Sequence, residues 1–161
     1  MPVTSSQVNS LLLSLLLVFL LVWLFIRDLK LALLTVIHNF FPIILMMGFM
    51  GWLHISPDTA TASIAAIVLS FCIDDTIHFI YYYQQCRKSG QTAAEAQRQT
   101  MRHVGPAIVI TSLVLFFGYG LMTFGSLLTV ALFGILTAIA IAGALYSHLF
   151  IFPLLLMRFD K

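Results

Sequence analysis

Charge is what this sequence has least of. Only 9% of its 161 residues are Asp, Glu, Lys or Arg, while 61% are hydrophobic. A water-soluble domain of this size has too much surface for its volume to hide so much apolar side chain. The solvent for most of the chain is therefore lipid, and a mean hydropathy of +1.04 agrees. The eight Lys and Arg residues form no basic face and the net charge is only +2, so a nucleic-acid partner is not expected. Cysteine is equally scarce. Cys72 and Cys86 are 14 positions apart on one expected helix. That is about 21 Å, too far for a disulfide, and both read as structural thiols. No G-x-S-x-G elbow is present, which argues against a serine hydrolase. No G-x-G-D string occurs either, and an aspartyl intramembrane protease needs acids on two helices. The opening MPVTSSQVNS lacks the basic start of a signal peptide.

Long apolar runs are what is there. A bilayer core takes about 20 helical residues. Five segments qualify, at about 8–26, 31–53, 60–83, 106–124 and 127–157. The second contains Pro42, an expected kink, and the fifth carries Pro153 in its last turns. The expected fold is all-α: a polytopic membrane helix bundle of five transmembrane helices plus one cytoplasmic amphipathic helix, forming a single membrane domain over 1–161. That sixth helix is expected at 92–104. Thr92 and Glu95 form a T-x-x-E capping box before it, Gly90 precedes it and Gly105-Pro106 ends it. Arg98 and Arg102, at i and i+4, can face lipid headgroups.

Every basic residue falls on one side. Arg27 and Lys30 follow the first span, Arg87, Lys88, Arg98 and Arg102 follow the third, and Arg158 and Lys161 follow the fifth. The positive-inside rule then puts the N-terminus outside and the C-terminus in the cytoplasm. An odd number of spans behind an uncharged external N-terminus suggests the C-terminal piece of a longer protein.

The chemistry concentrates at Asp74 and Asp75, inside the otherwise uncharged run IAAIVLSFCIDDTIHFIYYY. A carboxylate in hydrocarbon costs several kcal/mol, so such acids are functional by default. An acid held neutral in lipid that releases its proton when water or a cation approaches is a proton carrier. Ser63, Ser70, Asp74, His78 and Tyr81 recur at helical spacing, and that face is expected to point into the bundle. His78, one turn beyond Asp74, can relay the proton or serve as a capped core histidine. The plainer alternative is that the aspartates only hydrogen-bond between helices. Thr111 and Ser112 of the fourth span lie at similar depth, bonded to their own helix or across to the third. Gly134, Ala138 and Ala142 form a small-residue ridge for close helix packing. His148 reads as structural. D-D-x-x-H resembles a ligand set, but the other histidines, His38, His54, His103 and His148, are scattered in depth. No metal site and no cofactor are expected.

These residues match a known pattern. CIDDTIHFIYYYQQCRKSGQTAAEAQRQTMRHVGPAIVITSLVLFFGYGLM, followed by FGILTAIAIAGALYSHLFIFPLLL, resembles the C-terminal membrane half of resistance-nodulation-division (RND) exporters. The similarity is to the MMPL-type, predicted-exporter branch, with Patched-like sterol-sensing proteins as cousins. The match covers most of residues 8–161. It implies spans eight to twelve of twelve, with proton flow driving export of a lipid or other hydrophobic substrate. It places the proton-coupling acid on Asp74, with Asp75 beside it, and the relay hydroxyl on Thr111. Ser70 and Cys72 stand where relatives usually have glycine, and Asp75 where many have Tyr.

The resemblance makes the chain a secondary transporter component, not an enzyme, in a bacterial inner membrane. Its expected partners are the bilayer, the transporter's N-terminal half (in the same natural chain or as a separate subunit) and the substrate. Whether it forms a homo-oligomer is left open. Two other readings are a Patched-like sterol- or lipid-sensing scaffold without transport, and a truncated inactive fragment.

Overall fold

The structure, a computed structural model, describes residues 29–55 and 59–159, preceded by Leu13, Leu16, Leu20, Trp23 and Leu24 as separate helical positions. The expected span 8–26 otherwise lies outside the described residues. These contain only helices and turns. In chain order they are α1 (Leu29–Trp52), α2 (Thr59–Lys88), α3 (Ala93–His103), α4 (Gly105–Leu121), α5 (Leu128–Tyr146) and α6 (Phe152–Phe159). A 3₁₀ turn, Met122–Phe124, follows α4, and a π-helical turn, Ser147–Ile151, joins α5 to α6. Four helical segments are long and apolar enough to cross a membrane: Leu31–Trp52, Thr61–Lys88, Gly105–Phe124 and Leu128–Arg158.

Small residues place α5 at the centre. It packs against α4, α1 and α2. Its buried positions include Gly134, Ala138, Ala140, Gly143 and Ala144, which let neighbouring backbones come close. A methyl group added at Gly134 would sit 2.6 Å from the Tyr119 carbonyl oxygen and 2.8 Å from Met122 Cβ. At Gly143 it would meet only the end of the Leu45 side chain. Of the small-residue ridge, Gly134 and Ala138 are buried and Ala142 is exposed.

Two apolar clusters fill the bundle. Near the basic end, Phe79, Ile80, Tyr83, Ala96, Ile108, Phe152 and Leu156 pack together. Toward the other end, Met46, Met50, Ile64, Val68, Cys72, Leu136 and Ala140 do the same. Pro42 lies inside α1, where it removes the N–H that His38's carbonyl would otherwise accept. By contrast, α2 contains neither Pro nor Gly and runs unbroken for 30 residues, about 45 Å.

The short helix α3 lies across the basic ends of α2 and α4. Ala96 and Thr100 are its buried positions, and Arg98 and Arg102 are exposed. His103 stacks on Tyr82 of α2 at 5.0 Å between ring centroids. Gly90, at φ +87°, turns the chain between α2 and α3, a backbone angle that side chains disfavour. Thr92 caps α3: the Glu95 N–H donates to Thr92 Oγ1, and the Thr92 N–H donates to Glu95 Oε2 at 3.0 Å.

The Thr92 backbone N–H, then its hydroxyl, hold the Glu95 carboxyl below the usual glutamate range. A depressed folded-state value stabilises fully above the unfolded value, and that gain is lost as pH falls through the folded one. Thr92→Ala should cost about 1 kcal/mol of local stability. It should appear as faster amide exchange in the first turn of α3, with the spans unchanged. In the parent chain, acidification to below the usual glutamate range should loosen the same amides.

Candidate functional site

The two aspartates leave α2 in different directions because successive helical residues are turned by about 100°. Asp74 is exposed, with 74% of its side chain accessible, and Asp75 is half-buried. His78 follows Asp74 on the same exposed face, its Nε2 3.7 Å from Asp74 Oδ1. That is an ion-pair distance, longer than a hydrogen bond.

This corrects one expectation. The stripe Ser63, Ser70, Asp74, His78 and Tyr81 faces away from the bundle, and all five residues are exposed. So Asp74 is not a buried acid within these helices. The inward face of α2 is taken by Ile64, Val68, Cys72, Thr76, Phe79 and Tyr83, which supply the apolar surface that α1 and α5 require. The polar face is left to the side where the described helices provide no neighbour.

A cleft of about 340 Å³ opens between α2, α4 and α5. Asp74, Asp75, Thr111 and Ser112 line it, with Cys72 and Ala144 among its other walls. The structure therefore brings Asp74, Asp75 and Thr111 to one space, while His78 flanks it through Asp74. The Thr111 hydroxyl faces the carbonyls of Ala107, at 3.0 Å, and Ile108, at 3.1 Å, within its own helix. The arrangement offers two carboxyls and two hydroxyls to any water or cation that enters. Among the described residues no group of three or more His, Cys, Asp or Glu is placed to hold a metal ion.

The Patched SSD family model matches residues 4–157, almost the entire chain. The chain belongs to the Patched SSD family. This is the sterol-sensing-domain class of RND-related membrane proteins, in agreement with the resemblance read from the sequence. A curated relative, "Putative membrane protein MJ1562" of Methanocaldococcus jannaschii, is 28% identical over 110 residues. The alignment covers 68% of this chain and 28% of the relative, so the chain spans well under half of that protein's length. With four membrane-length helices, this Patched-family chain is a multi-pass membrane protein.

A second polar group was not legible as a site. Between the two apolar clusters, α1 contributes His38 and Asn39, α2 contributes Thr76, and the π turn contributes Ser147 and His148. All five are buried. Ser147 Oγ lies 2.9 Å from His38 Nδ1, tying the π turn to α1. Thr76 Oγ1 lies 3.0 Å from His148 Nε2 and 3.3 Å from Asn39 Oδ1, tying α2 to both. The histidine rings meet edge to face at 4.6 Å between centroids. From sequence alone His148 reads as structural and the histidines scatter in depth. The available signal was proline spacing, since His38 precedes Pro42 by one turn and His148 precedes Pro153 by a slightly longer one.

Proposed function

We propose that this chain is the C-terminal membrane half of a proton-motive-force-driven exporter of the RND/MMPL type. Asp74 and Asp75 couple proton flow to export of a lipid or other hydrophobic substrate, and Thr111 and His78 assist. The observation that supports this most is the acid-lined cleft on an uncovered face. A membrane helix cannot leave a carboxylate, an imidazole and two hydroxyls against hydrocarbon. Further membrane helices must cover that face, and an N-terminal half of the same transporter is the natural cover. Acids then lie between the two halves, where water and protons can reach them in alternation. On this reading the chain is a transporter component rather than an enzyme. It sits in a bacterial inner membrane with its basic loops and C-terminus in the cytoplasm.

The test is export by cells or vesicles carrying the complete transporter. Collapsing the proton gradient with a protonophore should stop efflux of a fluorescent hydrophobic probe within the time the gradient takes to fall. Efflux that continues at its original rate without a gradient refutes proton coupling.

One observation favours a second reading, a sterol- or lipid-sensing scaffold without transport. An apolar cleft of about 330 Å³ lies between α4 and α5, lined by Leu113, Phe116, Ile141, Ala142, Leu145 and Phe150, among others. On that reading, filling the cleft at Ala142 removes lipid binding, while neutralising Asp74 changes nothing.

A further inference from the structure

The buried polar group between the apolar clusters can be tested by counting its hydrogens. The Ala144 carbonyl oxygen lies 2.9 Å from His148 Nδ1. A carbonyl can only accept, so Nδ1 carries the hydrogen. In a neutral imidazole, Nε2 is then a bare lone pair that needs a donor. The nearby donor is the Thr76 hydroxyl, 3.0 Å away. That hydroxyl has one hydrogen and faces two further acceptors, the Cys72 carbonyl at 2.6 Å and Asn39 Oδ1 at 3.3 Å. The shortest contact is to Cys72, and a hydrogen placed there leaves Nε2 facing an oxygen lone pair. The one hydroxyl hydrogen cannot serve all three acceptors at once.

A single added proton takes Nε2 out of that competition and leaves only the longest contact, Asn39 Oδ1, without a hydrogen. With a hydrogen on Nε2, His148 donates to Thr76 Oγ1, Thr76 donates to the Cys72 carbonyl, and Nδ1 still donates to Ala144. No atom has to move. We propose that His148 is a proton-binding site inside the bundle, distinct from the acid cleft, with Thr76 as its switchable partner.

The surroundings limit the site to one proton. From α1 the titratable neighbour is His38, whose ring lies edge-on to His148. Its Nδ1 is engaged by Ser147 Oγ, and its Nε2 is buried without a hydrogen-bond partner. A charge on His148 therefore keeps His38 neutral. From α2 the titratable groups are Cys72 and, on the cleft side, Asp74 and Asp75, the latter adjacent to Thr76 in the chain. From α6 comes Phe152, which does not titrate. Cys72 and Ala144, whose carbonyls accept these hydrogen bonds, also line the acid cleft. The site thus stands directly behind the cleft wall. The π turn displaces His148 from regular helical register, and such turns recur at functional sites. The inference does not depend on the chain being an exporter.

The experiment is nitrogen-15 NMR of histidine-labelled chain in lipid nanodiscs, with the His148 signals identified by His148→Phe. At about pH 8, His148 should be the Nδ1–H tautomer, the minority form of free imidazole in water. On progressive acidification, Nε2 should gain its hydrogen while the bundle stays folded. Thr76→Val should reduce the protonated fraction of His148 at a given pH about tenfold or more, which is one pH unit. Thr76→Ser should restore it. An Nε2–H tautomer at high pH overturns the proposal. So does a His148 that never gains a second hydrogen in the folded protein, or one that titrates identically in Thr76→Val. If the valine variant does not fold, the parent chain's tautomer and titration decide alone.

Discussion

Asp74→Asn in the complete transporter is expected to abolish export while leaving the protein in the membrane at its normal level. Asparagine matches aspartate in size and keeps the same hydrogen-bonding reach. It cannot release a proton, so the substitution removes titration and little else. Asp74 is exposed from its own bundle, so the change creates no cavity and strands no buried partner. Substrate efflux should fall to the level of protonophore-treated cells, and acidification-driven proton entry should fall with it. Asp75→Asn should weaken both without matching that loss if Asp74 leads. Normal efflux by Asp74→Asn would remove the proton-carrier role.

Gly134→Leu should prevent α4 and α5 from packing. Even a methyl carbon at this position would stand 2.6 Å from the backbone oxygen of Tyr119, a contact no rotamer change relieves. Overpacking by a methylene or two typically costs about 1–3 kcal/mol, and a leucine against backbone exceeds that range. The expected result is loss of the monodisperse peak when detergent-solubilised protein is run by size exclusion. Gly143→Ala is the contrast. Its methyl meets a flexible leucine end, so that variant should stay folded with a modestly lower melting temperature. Equal behaviour of the two would show that the close approach at Gly134 does not hold the bundle.

Much of the framework could be read from the residues, and the reason is physical. Apolar length sets a span, so four of the expected segments meet helices with ends close to those anticipated. The Thr92–Glu95 box marks a helix start because its chemistry is local. Facing is a different matter. The stripe through Asp74 and His78 is polar at helical spacing, and lipid cannot satisfy it, so it was expected inward. Periodicity shows that a face exists but not which neighbour covers it. Here none of the described helices covers it, and the face points out. The buried histidines were missed for the opposite reason. Each of three segments contributes one or two polar residues, which makes no periodic pattern on any of them. Only tertiary packing reveals that His38, Thr76 and His148 meet. On α4, apolar on nearly every side, no sequence argument could say that Ile108 and Ser112 turn inward.

The unbroken length of α2 has a mechanical consequence. No proline or glycine offers a hinge between Asp74 and Lys88, and α3 rests on its far end through the stacked Tyr82 and His103 rings. The helix is a stiff lever about 21 Å long from the acid to its basic tip. A tilt of about 5° imposed at the acid would swing that tip by roughly 2 Å and carry α3 with it. Any tilt imposed at Asp74 would therefore reach the basic end of the bundle as displacement rather than being absorbed along the way.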